Sequence, residues 1–346
     1  MTHLNIANIK KILIITFGGI GNMIMLTPAL SVLRNECKGA KIYLLVGPYG
    51  AEKVVKESNL VDEVIIFDMS KAGLFTLIKR IKKARFNLSI SATGINPLKT
   101  GLIAFLGGIK YRLGEDIKKR GWFYNIKTRY SNEIHEVDAN IKLIERLGIK
   151  VNNKSLYVYT SENDKEFASR FLFANGVVSK NLLVAIHPGS GIHQAGFKRW
   201  PAEKFAELAD KVIEKHNAKI IILGGKTEIK LADKVTGLMK NNSIIAAGKT
   251  TLGQVAALIE KCHLLIGNDS GLMHVGSAVN TTVVVIFGPT NYKKTLPYGE
   301  KVFMVRKDLP CSPCYKRSPV KCDKNFACFK EINVEDVLKT VKEILK

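Results

Sequence analysis

Short apolar runs alternate with longer stretches of helical spacing along the whole chain. In the first half, runs of strand length occupy residues 11–16, 41–46, 63–67 and 86–91, and the same alternation returns over residues 182–287. Strands that alternate with helices in this way indicate βαβ units and parallel sheets. The pattern therefore predicts an α/β protein with two Rossmann-like, doubly wound parallel sheets. The length of 346 residues also favours two domains.

Helical periodicity fills most of the intervals between these runs. The predicted helices span residues 23–35, 51–58, 71–84, 98–106, 136–147, 164–175, 201–216, 226–240, 252–261, 272–279 and 334–345. The segment 108–132 is basic and aromatic with weak periodicity, so we predict loops and irregular strands there, near the mouth of a cleft. A short strand is predicted at 156–159, in the connection between the two halves.

The charge balance points to an anionic neighbour. With 53 Lys and Arg against 30 Asp and Glu, the formal net charge is +23. Most of the excess is lysine, which suits attraction to a membrane surface or an acidic glycolipid better than the reading of bases. A lysine-rich proteome gives the same count without functional meaning. Because no groove-reading or base-stacking module accompanies the charge, we expect no binding of nucleic acid.

Residues 12–33 carry no charge, yet they lack the pattern of a membrane anchor. Glycine and asparagine interrupt the run between positions 18 and 22, and Pro28 follows, which is typical of a strand, a turn and a helix. We therefore expect a soluble or peripheral protein in the cytoplasm.

Two turns in the second half contain residue types that bind phosphate. A strand at 262–266 is followed by Gly267-Asn268-Asp269-Ser270-Gly271 and then a helix, so the turn directs backbone N–H groups at the helix N-terminus. Asp269 and Ser270 are also natural helix caps, which is the plain structural alternative. The turn His187-Pro188-Gly189-Ser190, and the Lys198-Arg199-Trp200-Pro201 sequence after it, favour a ligand that bears phosphate.

The first turn of the chain contains Gly18, Gly19 and Gly21. It lacks the third glycine of the dinucleotide fingerprint, where Ile24 stands, and no acidic residue follows the second strand at the required spacing. A nicotinamide enzyme is therefore disfavoured. The glycines allow another backbone or a sugar to approach closely, or they serve only a tight turn.

Four of the six cysteines lie within eighteen residues, in a C-x2-C-x7-C-x5-C pattern formed by Cys311, Cys314, Cys322 and Cys328. Four thiolates are the ligand number of a closed tetrahedral zinc site. The spacing is irregular, so three alternatives stay open: a structural zinc ion, redox-active pairs, and reduced thiols.

Four segments, in this order, resemble the glycosyltransferase family 9 enzymes, the ADP-heptose:lipopolysaccharide heptosyltransferases. They are ILIITFGGIGNMIMLTPAL at 12–30, HPGSGIHQAGFKRWPAEKFAELA at 187–209, ILGGKTE at 222–228 with LGQVAALIEKC at 252–262, and IGNDSGLMHVGSAVNTTVVVIFGPTN at 266–291. The similarity covers most of the chain, and the joint presence of the KRWP and NDSGxxH–FGPT elements is specific.

The resemblance implies a GT-B fold, in which two Rossmann-like domains face a central cleft. It implies an acceptor domain at 1–160 and a nucleotide-sugar domain at 161–330, which includes the cysteine-rich segment 311–328. The terminal helix at 331–346 is expected to pack back on the N-terminal domain. The resemblance also implies inverting transfer from a nucleotide sugar, with no metal or other cofactor required for the chemistry.

The resemblance assigns site residues by motif. Lys198 is expected to contact the donor diphosphate and to act in catalysis, Ser190 matches a phosphate-facing hydroxyl, and Glu228 matches the carboxylate that binds the adenosine ribose. The donor-binding turn and its helix match Asp269, Ser270, Gly271 and His274, and the acceptor-side loop matches Gly18, Gly19 and Gly21. The structural alternatives are a surface position for Lys198, a solvated charge for Glu228 and a core histidine for His274.

One residue departs from the family pattern. Relatives usually have an aspartate at position 22, taken as the base that deprotonates the acceptor hydroxyl, whereas this chain has Asn22. An amide accepts no proton at neutral pH, although it can orient a hydroxyl. Either another carboxylate replaces the base, with Glu115 and Asp116 as candidates, or the acceptor is already reactive, or transfer is slow or absent.

The sequence therefore predicts a peripheral enzyme at the inner face of the cytoplasmic membrane. It would transfer a heptose, or a related sugar, from an ADP-sugar donor to lipopolysaccharide core or a similar anionic glycan. The alternatives are a non-catalytic or weakly active sugar-nucleotide binding protein, suggested by Asn22, and a sugar-nucleotide epimerase of the same fold.

Overall fold

The computed structural model describes residues 6–191, 197–314 and 322–346, which form two compact units. The first unit ends at Tyr159 and the second begins at Thr160. Within the described residues each unit contains a six-stranded sheet whose successive strands are joined mostly through helices. The predicted α/β class with two doubly wound parallel sheets is thus confirmed.

In the first unit the strands follow the order β3-β2-β1-β4-β5-β6 and pair in parallel. These strands are β1 Lys11–Thr16, β2 Lys41–Val46, β3 Glu63–Ile66, β4 Leu88–Ser91, β5 Tyr111–Asp116 and β6 Ile126–Arg129. The helices are α1 Ile20–Glu36, α2 Lys71–Ala84, α3 Pro97–Leu106 and α4 Glu136–Glu145. The 3₁₀ helices Ile6–Asn8 and Ala51–Val54 also belong to this unit, and the second of them replaces the longer helix predicted at 51–58.

The second unit repeats the strand order of the first. Its sheet runs β12-β11-β10-β7-β8-β9, again with parallel pairing. These strands are β7 Leu183–His187, β8 Lys219–Ile222, β9 Ile244–Ile245, β10 Leu264–Asn268, β11 Thr282–Ile286 and β12 Val302–Val305. The helices are α5 Glu162–Ala174, α6 Ala202–His216, α7 Ile229–Leu238, α8 Leu252–Glu260, α9 Gly271–Ala278, α10 Tyr292–Thr295, α11 Ala327–Lys330 and α12 Val334–Ile344.

The central strands β7 and β10 of the second unit are buried along their whole length. A strand buried on both faces is apolar at every position rather than at alternate ones, which explains the continuous apolar runs of the sequence. Because all the neighbours are parallel, the carboxyl ends of β7, β8, β10 and β11 meet at one edge of the sheet. Ligands bind at this edge in open α/β sheets.

The segment 108–132 is more regular than its sequence predicted. It contains β5 and β6, and β5 pairs with β4. Gly114 interrupts the apolar pattern of β5 because a side chain there would collide with the Tyr124 ring, at 2.3 Å. The Tyr124 hydroxyl in turn lies 2.6 Å from Thr100 Oγ1 on α3. The interpretation of irregular strands is therefore wrong for 111–116 and 126–129, whereas the residues between these two strands form a loop as predicted.

The connection between the units contains no strand, contrary to the prediction for 156–159. Its backbone bonds instead to the helical layer of the first unit. The Tyr157 amide donates to Thr27 Oγ1 at 2.9 Å, and the Tyr159 amide donates to the Val54 carbonyl at 2.9 Å. These bonds satisfy the backbone without a sheet partner.

The terminal helix α12 completes the core of the second unit. Its stripe of Val334, Val337, Leu338 and Val341 is buried in the same apolar cluster as Phe205 of α6. The buried stripe of this helix therefore belongs to its own unit, and packing of the helix against the N-terminal domain stays a prediction. Among the described residues, no helix has both the length and the apolar character needed to cross a bilayer.

Candidate functional site

The predicted donor-binding residues gather at the carboxyl ends of adjacent strands in the second unit. They lie in the turns after β7, β8, β10 and β11, together with the segment that precedes α6. Five of these residues and four neighbours form what we call the strand-end cluster. It consists of His187, Ser190, Lys198, Arg199, Glu228, Asn268, Asp269, Ser270 and Thr290.

A buried ion pair lies in this cluster. Lys198 Nζ is 2.9 Å from Asp269 Oδ2, and both residues are at least nine-tenths buried. The Thr290 hydroxyl donates to the same carboxylate oxygen at 2.7 Å. Lys198 is therefore not a surface lysine. Its ammonium group is held in a fixed position by this ion pair.

Asn268 joins three turns with one buried side chain. Its Oδ1 accepts from the Trp200 amide at 2.9 Å, and its Nδ2 donates to the Pro188 carbonyl at 2.8 Å. Trp200 is itself anchored, because its indole N–H donates to the Ile332 carbonyl at 3.0 Å and its ring packs edge-on against Phe205. The positions of Lys198 and Ser190 thus depend on the packing of the core.

The N-terminus of α9 has no side-chain cap. Ser270 occupies the cap position and Gly271 is the first helical residue, but the Ser270 hydroxyl makes no capping bond. It lies 2.9 Å from His187 Nδ1 instead. The plain interpretation of Ser270 as a helix cap is therefore wrong. A helix N-terminus without a cap directs N–H groups and a partial positive charge at a ligand.

Glu228 is fixed by three neighbours. Its Oε2 accepts from the Gly225 amide at 2.8 Å and lies 3.2 Å from His187 Nε2, while Arg199 is 3.7 Å from Oε1. Burial by itself would raise the pKa of Glu228. The bonds and charges of these neighbours outweigh burial and hold the pKa below its ordinary value. The carboxylate is ionised at neutral pH and is not a solvated surface charge.

The turn after β7 lies directly against Glu228. A Cβ atom at Gly189 would be 1.9 Å from Glu228 Oε1 and 2.8 Å from His187 Nε2, so only glycine fits there. The next residue, Ser190, is 2% exposed, and its Oγ has no hydrogen-bond partner among the described residues. A buried hydroxyl without a partner is costly unless a ligand satisfies it.

The structure thus brings together Ser190, Lys198, Glu228, Asp269 and Ser270, with Gly271 at the start of the same helix. His274 lies further along α9 and is 4% exposed. Sequence reasoning missed four members of the cluster: His187, Arg199, Asn268 and Thr290. All of them lie inside the quoted motifs, but their hydrogen bonds join segments far apart in the chain, which spacing does not reveal.

The predicted acceptor-side residues lie in the first unit. Gly18 follows β1, and a Cβ atom there would be 2.5 Å from the Asn22 side chain, so Asn22 packs directly over the turn. Gly19 precedes α1, and Gly21 lies in its first turn with exposed Asn22. The candidate carboxylates end β5. Asp116 accepts from the Gly121 amide at 2.9 Å, while Glu115 is buried and accepts from the Gly94 amide at 3.4 Å.

All four clustered cysteines line one cavity in the second unit. The Phe326 amide donates to Cys322 Sγ at 3.1 Å. Burial, followed by the neighbouring thiolates, raises the pKa of Cys328 to about 11. Across the described ranges, no group of three or more His, Cys, Asp and Glu side chains is arranged as a metal site.

Two Rossmann-like units, one of them with the strand-end cluster, are the features of the GT-B fold. The sequence profile of glycosyltransferase family 9 (heptosyltransferase) matches residues 74–323. The chain therefore belongs to glycosyltransferase family 9 and is a glycosyltransferase.

Individual relatives agree over the full length. The chain is 29% identical to lipooligosaccharide heptosyltransferase 2 of Campylobacter jejuni over 336 residues, which is 94% of this chain and 96% of that protein. The family 9 structure from Veillonella parvula superposes with a TM-score of 0.82 at 23% identity and covers 99% of both chains. The structure of E. coli ADP-heptose lps heptosyltransferase II superposes with a TM-score of 0.75 at 22% identity, over 97% of this chain and 98% of that one.

Removing the charge of Lys198 is expected to destabilise the second unit. In Lys198→Met, Asp269 stays buried with Thr290 but without its ammonium partner, which costs about 3–5 kcal/mol for a broken buried pair. The double variant Lys198→Met/Asp269→Asn should recover most of this loss. Urea unfolding followed through the fluorescence of buried Trp200 measures both variants. Equal stability of wild type and Lys198→Met would refute the buried pair.

Proposed function

We propose that the protein is an inverting glycosyltransferase that transfers a heptose from ADP-heptose to lipopolysaccharide core or a similar anionic glycan. The observation that carries the proposal is the strand-end cluster, where three features occur together: an ammonium group, a buried hydroxyl that has no partner among the described residues, and a helix N-terminus whose cap residue makes no capping bond. The names of the full-length relatives supply the sugar and the acceptor.

The cluster suits the departure of a nucleoside diphosphate. In the transfer, the acceptor oxygen forms a bond to the anomeric carbon while the bond from that carbon to the diphosphate oxygen breaks. Negative charge grows on the leaving oxygen. Lys198, the Ser190 hydroxyl and the N–H groups at Gly271 are donors that stabilise this charge without rearrangement.

Glu228 suits the ribose of the same donor. Its Oε2 is occupied by the Gly225 amide and His187, so Oε1 is left for hydroxyl groups of a ligand beside Arg199. An ionised carboxylate that accepts from hydroxyl groups forms strong, short hydrogen bonds. The proposal therefore places the nucleoside at the ends of β7 and β8, and the diphosphate toward α9.

For the acceptor side we propose that Glu115 is the base and Asn22 orients the hydroxyl. Asn22 is an amide and accepts no proton. Asp116 already accepts a hydrogen bond from the Gly121 amide and so stabilises the following turn. Glu115, in contrast, is a buried carboxylate at a strand end of the first sheet. General base catalysis contributes about 10²–10⁴-fold to the rate.

Transfer assays test this assignment. With ADP-heptose and a core glycolipid acceptor, the wild type should form product. Glu115→Gln should lower kcat by about 10²-fold or more because the proton acceptor is lost. Asn22→Asp should change the rate by less than about tenfold. Release of ADP, followed together with the mass of the glycolipid product, measures all three proteins.

Asp116→Asn is the matched control, since it alters the neighbouring carboxylate that serves the turn. An inert wild type that Asn22→Asp revives would identify a sugar-nucleotide binding protein on a transferase frame. A donor altered without any acceptor would identify an epimerase. Full activity of Glu115→Gln would remove Glu115 as the base.

The proposal includes peripheral contact with the inner face of the cytoplasmic membrane through the first unit. Phe105 and Leu106 on α3 are exposed, and Trp122, in the turn before β6, is 74% exposed. The rings of Phe105 and Phe123 are 5.3 Å apart, which joins the two segments. Exposed Lys118, Lys119 and Arg120 precede Trp122. Aromatic side chains beside cations favour an anionic lipid surface.

Vesicle sedimentation tests the contact. The protein should bind vesicles of phosphatidylglycerol and phosphatidylethanolamine and detach as salt is raised, since exposed charges are screened. Trp122→Ala should weaken binding. Phe173→Ala is the matched control, because Phe173 is 80% exposed but lies on α5 of the second unit. Binding that ignores salt, or equal binding by both variants, would contradict the proposed surface.

A structural zinc ion at Cys311, Cys314, Cys322 and Cys328 is a separate part of the proposal. Its support is the common cavity that the four side chains line, and zinc would have to draw the thiols together. Elemental analysis of the purified protein should give about one zinc per chain, and Cys314→Ser should lose it. Protein that contains no zinc, and whose four thiols all react with a thiol reagent, would contradict the zinc site and identify reduced cysteines.

A further inference from the structure

His187 links two of the turns in the strand-end cluster, although no motif gave it a role. It is the last residue of β7, which lies between β10 and β8 in the sheet, and it is 3% exposed. On one side, Nδ1 lies 2.9 Å from Ser270 Oγ after β10. On the other side, Nε2 lies 3.2 Å from Glu228 Oε2 after β8. One ring thus connects the nucleoside end of the cluster with the helix N-terminus.

The ionised carboxylate fixes the direction of the hydrogen bond to Glu228, and the direction of the bond to Ser270 then follows for a neutral ring. Glu228 can only accept, so His187 Nε2 carries the proton and donates it. In the neutral ring Nδ1 then accepts from the Ser270 hydroxyl. Ser270 is thereby held away from the capping geometry, which leaves the backbone N–H groups of the first turn of α9 without a capping bond from this hydroxyl.

The same ring fixes the carboxylate of Glu228. Oε2 accepts hydrogen bonds from His187 Nε2 and from the Gly225 amide, which is 2.8 Å away. Oε1 lies so close to the turn after β7 that Gly189 has no room for a Cβ atom. The Arg199 guanidinium lies 3.7 Å from Glu228 Oε1, and it would pull a released carboxylate toward itself. His187 opposes that movement.

We infer that His187 is a positioning residue for the donor, which sets Glu228 for the nucleoside and Ser270 for the α9 N-terminus without touching the ligand. The inference rests on the proposed function in one respect, namely that the strand-end cluster binds a nucleoside diphosphate donor. It assigns the two hydrogen bonds of the ring, which we call the Glu228 arm and the Ser270 arm, to separate steps. The Glu228 arm supports donor affinity, and the Ser270 arm supports the departure of the diphosphate.

Three substitutions at this position separate the arms. Glutamine places its amide near the position of Nε2, so His187→Gln keeps the Glu228 arm. Asparagine places its amide near the position of Nδ1, so His187→Asn keeps the Ser270 arm. His187→Leu removes both. His216→Gln is the matched control, because His216 is half-buried at the end of α6, outside the cluster.

Calorimetric titration with ADP and steady-state kinetics with ADP-heptose give the readouts. His187→Leu should weaken ADP binding by about 10- to 100-fold, the range for a buried charged group that loses a partner. His187→Asn should raise the donor KM with kcat little changed, and His187→Gln should lower kcat with KM little changed. The effects of His187→Leu and Glu228→Gln on ADP affinity should be non-additive in the double variant, because one residue acts through the other.

Wild-type affinity for ADP in His187→Leu would overturn the inference and leave the proposed function standing. Equal losses in all three His187 variants, accompanied by lower melting temperatures without ligand, would show a structural role only and would also overturn it. A wild type that neither binds ADP nor transfers heptose would remove the proposed function and this inference together.

Discussion

The arrangement of the second unit depends on the buried side-chain amide of Asn268. It accepts from the backbone at Trp200 and donates to the backbone at Pro188, so one residue fastens the lysine-bearing loop and the serine-bearing turn to the end of β10. An amide that uses both its oxygen and its nitrogen fixes orientation as well as distance. These hydrogen bonds of Asn268 help to hold the neighbouring ion pair and the N-terminus of α9 in place.

The cluster also shows how a protein keeps donors available for an anion. The cap position of α9 holds a serine, yet the hydroxyl is engaged by His187 and leaves the helix N–H groups uncapped. Nearby, Lys198 is neutralised by Asp269, so the buried ammonium is tolerated before any ligand arrives. Preorganised groups of this kind need little reorganisation when charge develops.

Much of the fold could be predicted because the central strands are buried on both faces and read as continuous apolar runs. The cluster residues that the family motifs assign could be found from the sequence: they are Ser190, Lys198, Glu228, Asp269 and Ser270. The roles of His187 and Asn268 could not, since their partners lie 41 to 83 residues away in sequence. The regular strand β5 was not predicted because Gly114 interrupts its apolar pattern, and a glycine stands there because the Tyr124 ring fills the space of a side chain. The stripe of α12 predicted a helix but not which sheet it would cover.

The closure of the second core by α12 has a consequence for how the molecule comes apart. Within the described residues each unit has its own six-stranded sheet and its own apolar cluster, and the buried stripe of the C-terminal helix belongs to the second. Unfolding of this helix would therefore expose apolar side chains of the second core to water.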